Sequence, residues 1–148
     1  MASQRGDQTP GMDAPDYGRS LRGFQVNLLV KDVARSVAFA LDVLAAKVIY
    51  ADPDFAVLRH GSGPEWMLHA DHTYGNHPLL GLTGDGALRG AGVELRLHDH
   101  DPDGAAAAAA RLGYTVLAEA ADKPHGLRES YVVDPDGYVW VPDRPLTE

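Results

Sequence analysis

A chain of 148 residues, 45% hydrophobic and 23% charged, has the makeup of one ordinary globular domain. It contains no cysteine, which excludes disulfides, thiolate metal sites and cysteine nucleophiles and fits the reducing cytoplasm expected for it. Thirteen basic against 21 acidic residues, net −8, is the wrong sign for phosphate backbones and anionic lipid, so no nucleic-acid or membrane partner is expected.

Residues 1 to 22 are rich in Gly, Asp, Pro, Ser and Gln and lack periodicity, which predicts a disordered tail without a signal-peptide pattern. Order is expected from residue 23 to 148 as a single domain. FQVNLLV alternates, with Val26, Leu28 and Val30 on one face and Gln25, Asn27 and Leu29 on the other. Asp32 is a good N-cap for a helix to about Leu44, with Val37, Leu41 and Leu44 as its apolar stripe. AKVIYA, FAVLRH and EWMLHA read as strands separated by Asp-Pro-Asp and Gly-Ser-Gly-Pro turns. Residues 71 to 90 carry five glycines and no period, which predicts a long loop able to cover a site.

The second half begins in the same way. GVELRLHD alternates, Asp101 and Pro102 open an alanine-rich helix, and Gly113 can close it. YTVLAEA is a strand, and ESYVV with YVWVP forms a hairpin around Asp134-Pro135-Asp136-Gly137. At an offset of 67 residues Val26 meets Val93, Leu28 meets Leu95 and Asp32 meets Asp99, with no gap required through the helix. The fold class is therefore α+β: two βαβββ modules, about residues 24–70 and 91–142, joined by a long loop.

The paired modules, the stretch VNLLVKDVARSVAFALDVLAAKV and the closing GLRESYVVDPDGYVWV resemble the vicinal oxygen chelate superfamily over about residues 24 to 143. That group includes glyoxalases, bleomycin-resistance proteins and extradiol dioxygenases. The resemblance implies eight strands around a cleft, a homodimer and, in the enzymes, a divalent metal. The metal positions it implies fall on Gln25, Gly92, Val141 and one residue near Met67 or His69. Glycine and valine have no donor and glutamine is a weak one, so no metal and no cofactor are expected. A shifted site of Glu94, His69 and Gln25 is the alternative.

Alternation sends the apolar sets beneath the helices and leaves the other face toward the cleft. The ligand-binding residues expected there are Gln25, Asn27, Met67, His69, Glu94 and Arg96. His72 and Tyr74 from the long loop and Arg128 at the rim join them. Glu94 and Arg96 either contact ligand or pair with each other. Trp140 and Trp66 read as core. No catalytic residue is assigned, because no nucleophile elbow or phosphate-binding loop occurs.

The function this implies is that of a resistance protein sequestering an antibiotic-like small molecule without catalysis. A bleomycin-like glycopeptide and a polycyclic or enediyne compound are the candidate ligands. The alternative is a metal-dependent lyase, isomerase or dioxygenase.

Overall fold

A computed structural model describes residues 14–73, 77–84 and 86–147. These divide into two compact units, one within Met1–Leu41 and Ala46–His77, the other within Asp42–Ala45 and Pro78–Glu148. The elements in chain order are α1 (Ala14–Ser20), β1 (Asn27–Val30), α2 (Val33–Asp42), β2 (Lys47–Ala51), β3 (Phe55–Arg59), β4 (Glu65–Ala70), β5 (Glu94–Leu97), α3 (Pro102–Arg111), β6 (Thr115–Asp122), β7 (Leu127–Val133) and β8 (Val139–Pro145). Short 3₁₀ turns at Asp71–Thr73 and Pro78–Leu82 interrupt the segment expected as a long loop. No helix among the described residues is long and apolar enough to cross a membrane.

The two modules have the same topology. One four-stranded sheet runs β1-β4-β3-β2 and the other β5-β8-β7-β6. In each, the first strand pairs parallel with the last and the remaining pairs are antiparallel. This is the predicted α+β pair of βαβββ units, built as two open four-stranded sheets. The offset of 67 holds for β1 against β5, at 27 and 94. It widens to 69 for the helices, which start at 33 and 102, so the ungapped repeat is corrected by two residues at the strand-to-helix turn.

Local chemistry explains the helix ends. The Asp32 carboxylate accepts from the Arg35 amide at 3.2 Å and the Asp101 carboxylate from the Asp103 amide at 3.1 Å. Pro102 occupies the first turn of α3, and Gly113 follows its end with φ +84°. Alanine gives α3 a flat buried face (Ala105, Ala106, Ala108, Ala109) that lies on β6, β7 and β8. In α2 the buried residues are Val33, Ser36, Phe39 and Ala40, whereas Leu41 is exposed. Of the expected Val37–Leu41–Leu44 stripe, Leu44 just beyond α2 is fully buried, Val37 is half-buried and only Leu41 turns outward, because burying the Phe39 ring removes more apolar area from water than burying Leu41 would.

The described part of the expected disordered tail contains a helix, α1. Its Tyr17 ring packs with a cluster of Tyr50, Phe55 and Val57, together with Ile49 and Met67. That apolar contact offsets the ordering cost that composition alone predicted would prevail.

Candidate functional site

Register fixes which side chains share a face of the first sheet. Asn27, Met67, Val57 and Tyr50 form one row across β1, β4, β3 and β2. Leu29, His69 and Phe55 form the next, and Glu65 with Arg59 a third. Gln25 reaches the same end, where its amide donates to the Glu65 carbonyl at 3.3 Å. The four residues expected here from alternation, Gln25, Asn27, Met67 and His69, are therefore brought together. The opposite face carries Trp66 and Leu68, both buried as predicted.

This face mixes aromatic, thioether and polar groups. His69 Nδ1 and Asn27 Oδ1 are hydrogen-bonded at 2.5 Å. The His69 ring lies 4.5 Å from that of Phe55, tilted by 48°. Tyr50 is fully buried and donates its hydroxyl to Asp52 at 2.5 Å. Arg59 and Glu65 pair at 2.5 Å. The Tyr17 hydroxyl donates to Glu65 Oε1 at 3.0 Å. Burial, reinforced by the Glu65 hydrogen bond and charge, raises the Tyr17 phenol above its ordinary value, against partial opposition from Gln25 and Arg59. Tyr17 is a site residue that alternation could not find, since it lies outside any strand. Its only signal was an isolated aromatic in a polar segment.

His72 stands apart from this set. It hydrogen-bonds Asp54 at 2.7 Å and lines an open pocket of about 640 Å³ with Lys31, Asp32, Val33, Ala34 and Val37 at the start of α2. Tyr74 lies outside the described residues.

On the second sheet, Glu94, Arg96, Val139 and Val141 share the face away from α3, while Leu95 and Trp140 share the other. Glu94 and Arg96 pair with each other at 2.7 Å. Arg96 is more deeply engaged than the sequence indicated. It also binds Asp143 at 3.0 Å and Glu129. Glu129 and Asp143 are buried, at 2% and 1% exposure. His98 caps Asp143 at 2.8 Å, His125 reaches Glu129 at 3.2 Å and the Tyr131 hydroxyl donates to Glu94 at 3.1 Å. Burial alone would raise Glu129, but hydrogen bonds from Arg96 and His125 hold its carboxyl below the ordinary value. Burial likewise opposes the Arg96 charge, and its three carboxylates outweigh it, so its guanidinium is held all the more firmly protonated.

Arg128 is placed differently from these residues. Its guanidinium grips Asp103 of α3 with two bonds of 2.8 Å and Asp122 of β6 with one of 2.9 Å. It ties sheet to helix on the α3 side, while its neighbour Glu129 joins Arg96 on the other. Arg89, unassigned in the sequence, is buried. It donates to the Thr83 carbonyl at 2.9 Å and lies 3.9 Å from the buried Asp136 carboxylate. Asp134, in the same turn, accepts from the Asp136 and Tyr138 amides at 2.9 and 3.0 Å and from the Trp140 indole at 3.2 Å.

The residues at the implied metal positions do not fit a divalent ion. Gly92 has no side chain, Val141 is fully buried and apolar, and the Gln25 amide is engaged with Glu65. Among the described residues no three His, Asp or Glu side chains are grouped to hold a metal. The Glu94, Glu129 and Asp143 carboxylates are engaged by the Arg96 guanidinium.

A family model described as the glyoxalase/bleomycin resistance protein/dioxygenase superfamily matches residues 24–141. No curated protein matches the chain. Among solved structures, TioX from Micromonospora sp. ML1 is similar at 21% identity and a TM-score of 0.61, over 86% of this chain and 98% of that one. A glyoxalase-related enzyme from Fulvimarina pelagi is 17% identical with a TM-score of 0.64, over 83% and 87% of the two chains. A glyoxalase/bleomycin resistance protein/dioxygenase from Nocardioides is 21% identical with a TM-score of 0.59, over 88% and 89%. At these identities the structures establish the shared fold alone. The βαβββ pair and the family match over most of its length together show that the chain belongs to the glyoxalase/bleomycin resistance protein/dioxygenase superfamily.

Proposed function

We propose that the protein binds and sequesters a toxic small molecule without transforming it. The observation that carries this reading is the face formed by Tyr50, Phe55, Val57, Met67 and the hydrogen-bonded Asn27–His69 pair. Over the buried floor of Tyr50, Phe55 and Val57, the half-buried Met67 thioether and the Asn27–His69 pair are the groups that would meet and orient a flat ligand. Glu94 and Tyr131 form a separate polar pair on the second sheet, with the Tyr131 hydroxyl donating to the Glu94 carboxylate. Arg96 contributes by holding Glu94 in place. Support from the family is its bleomycin-resistance branch, whose members bind an antibiotic. A bleomycin-like glycopeptide or a polycyclic or enediyne compound is the proposed ligand class. A cytoplasmic homodimer is part of the proposal.

The test is titration calorimetry of the purified protein, first with zinc, nickel, manganese and ferrous ions and then with a panel of such antibiotics. We expect no heat from the metals and stoichiometric binding of a panel member at or below micromolar Kd. A stoichiometric metal, with turnover lost in Glu94→Ala or His69→Ala, would replace this reading with a metal-dependent lyase, isomerase or dioxygenase.

A further inference from the structure

The first sheet already holds an aromatic guest. Tyr17 belongs to a seven-residue helix that lies outside the βαβββ repeat, yet its ring is seated with Tyr50, Phe55, Val57 and Met67. Its hydroxyl donates to Glu65 at 3.0 Å. Glu65 is fixed from the other side by Arg59, and its own backbone carbonyl by Gln25. The seat thus has an apolar floor and one oriented carboxylate acceptor at its end. Most of α1 is otherwise exposed. Arg19 pairs with Asp16 within the helix, and the Ser20 hydroxyl donates to the Tyr17 carbonyl. Tyr17 anchors α1 on the sheet through its ring and its hydroxyl, and such a short helix has little stability of its own.

We propose that the Tyr17 seat is a subsite for a phenol-type ring, a flat aromatic carrying one hydroxyl donor, and that Tyr17 is its built-in competitor. The ring of the ligand takes the place of the Tyr17 ring against Met67, Val57, Phe55 and Tyr50. Its hydroxyl takes the place of the Tyr17 hydroxyl on Glu65. α1 leaves the face as the ligand enters. The competition lowers apparent affinity by the fraction of molecules in which Tyr17 is seated. A ligand lacking both an aromatic ring and a donor gains nothing by displacing it, so α1 also screens what binds. This deepens the sequestration reading, because it assigns that site a ligand chemistry.

The experiment uses the full chain and p-cresol, which is the tyrosine side chain as a free molecule. The methionines are 1, 12 and 67, so a ¹³C-methyl methionine label reports on this face through Met67. In Tyr17→Ala, p-cresol should shift the Met67 methyl resonance back toward its wild-type position. Its Kd there should be at least about tenfold lower than for the intact protein. Tyr17→Phe should keep the ring seated, lose the Glu65 bond and give an intermediate Kd. A folded Tyr17→Ala protein whose Met67 signal ignores p-cresol would overturn the proposal. Equal affinity for intact protein and variant would do the same. Should Tyr17→Ala not fold, Tyr17→Phe decides: p-cresol binding tighter than to the intact protein supports the seat, and binding no tighter rejects it. Failure of the antibiotic panel together with p-cresol rescue removes only the sequestration reading. Panel binding without rescue removes only this subsite.

Discussion

Arg96 and Asp143, 47 residues apart, meet at 3.0 Å on the second sheet, with the Asp143 carboxylate almost fully buried. Glu129 joins them from the neighbouring strand, where it pairs in register with Asp143. Neither carboxylate tolerates loss of the cation. Arg96→Ala leaves two buried negative charges facing each other and should cost about 3–5 kcal/mol, read as a lower urea midpoint. Arg96→Lys keeps the charge but cannot fork among three acceptors, and should fall between the two. Because Glu129 is held below its ordinary value near 4.5, its contribution is full above that pH and is lost as pH falls through the folded value. The stability gap between wild type and Arg96→Ala should accordingly narrow as pH falls below that value, because the bond to Arg96 is what holds Glu129 low and burial alone would raise it.

Arg89 and Gly90 anchor the end of the long connecting segment on the turn before β8. The Arg89 and Asp136 side chains are 2% and 0% exposed. Removing the buried guanidinium takes a positive charge from beside the buried Asp136 carboxylate and its bond from the Thr83 carbonyl, so Arg89→Ala should cost about 3–5 kcal/mol. Gly90 has φ +71°, and a Cβ there would lie 2.4 Å from Tyr138 Cδ1. Gly90→Ala should destabilise by about 1–3 kcal/mol through that overlap and the strained backbone. Thermal unfolding of both variants checks the anchor.

Asp134 behaves in the opposite sense to Glu129. Burial pushes its carboxyl up from 3.8 to about 6, despite hydrogen bonds from Trp140 and two backbone amides. The folded state therefore holds this proton more tightly than the unfolded chain. The stability it contributes is full below about pH 3.8 and is lost as pH rises through about 6. The change is of order 2–3 kcal/mol. In Asp134→Asn that slope should disappear. The measurement is the difference in unfolding free energy between the two proteins at pH 4.5 and pH 7. An unchanged difference would refute the assignment.

Arg128 offers a control for the site. Its bonds run to Asp103 and Asp122. Arg128→Gln should lower Tm slightly by loosening α3 on β7 and leave the affinity for any bound ligand unchanged. A large fall in ligand affinity with Tm intact would return Arg128 to the ligand-binding set.

Much of the architecture could be read along the chain. EWMLHA is β4 at its predicted limits, and Asp101 with Pro102 opens α3 as expected. Alternation assigned Asn27 and Met67, and Arg96 and Val141, to a common face with Trp140 opposite, and the strand register sets each pair side by side. The stripe of α2 was less legible, since Val37, Leu41 and Phe39 are all apolar and only packing ranks them. Arg96 was visible as a partner of Glu94, but Glu129 and Asp143 gave no sign of joining it.

The division has a physical cause. Strand and helix periods, caps and turns depend on neighbours a few residues away, so the sequence by itself determined the element order, the paired modules and the face on which each strand residue lies. Contacts across 30 to 50 residues depend on which faces meet after the sheets form. Only tertiary structure therefore decided that Arg96 gathers Asp143 and Glu129, that Arg89 is buried beside Asp136, and that Tyr17 sits on the aromatic face beside Glu65.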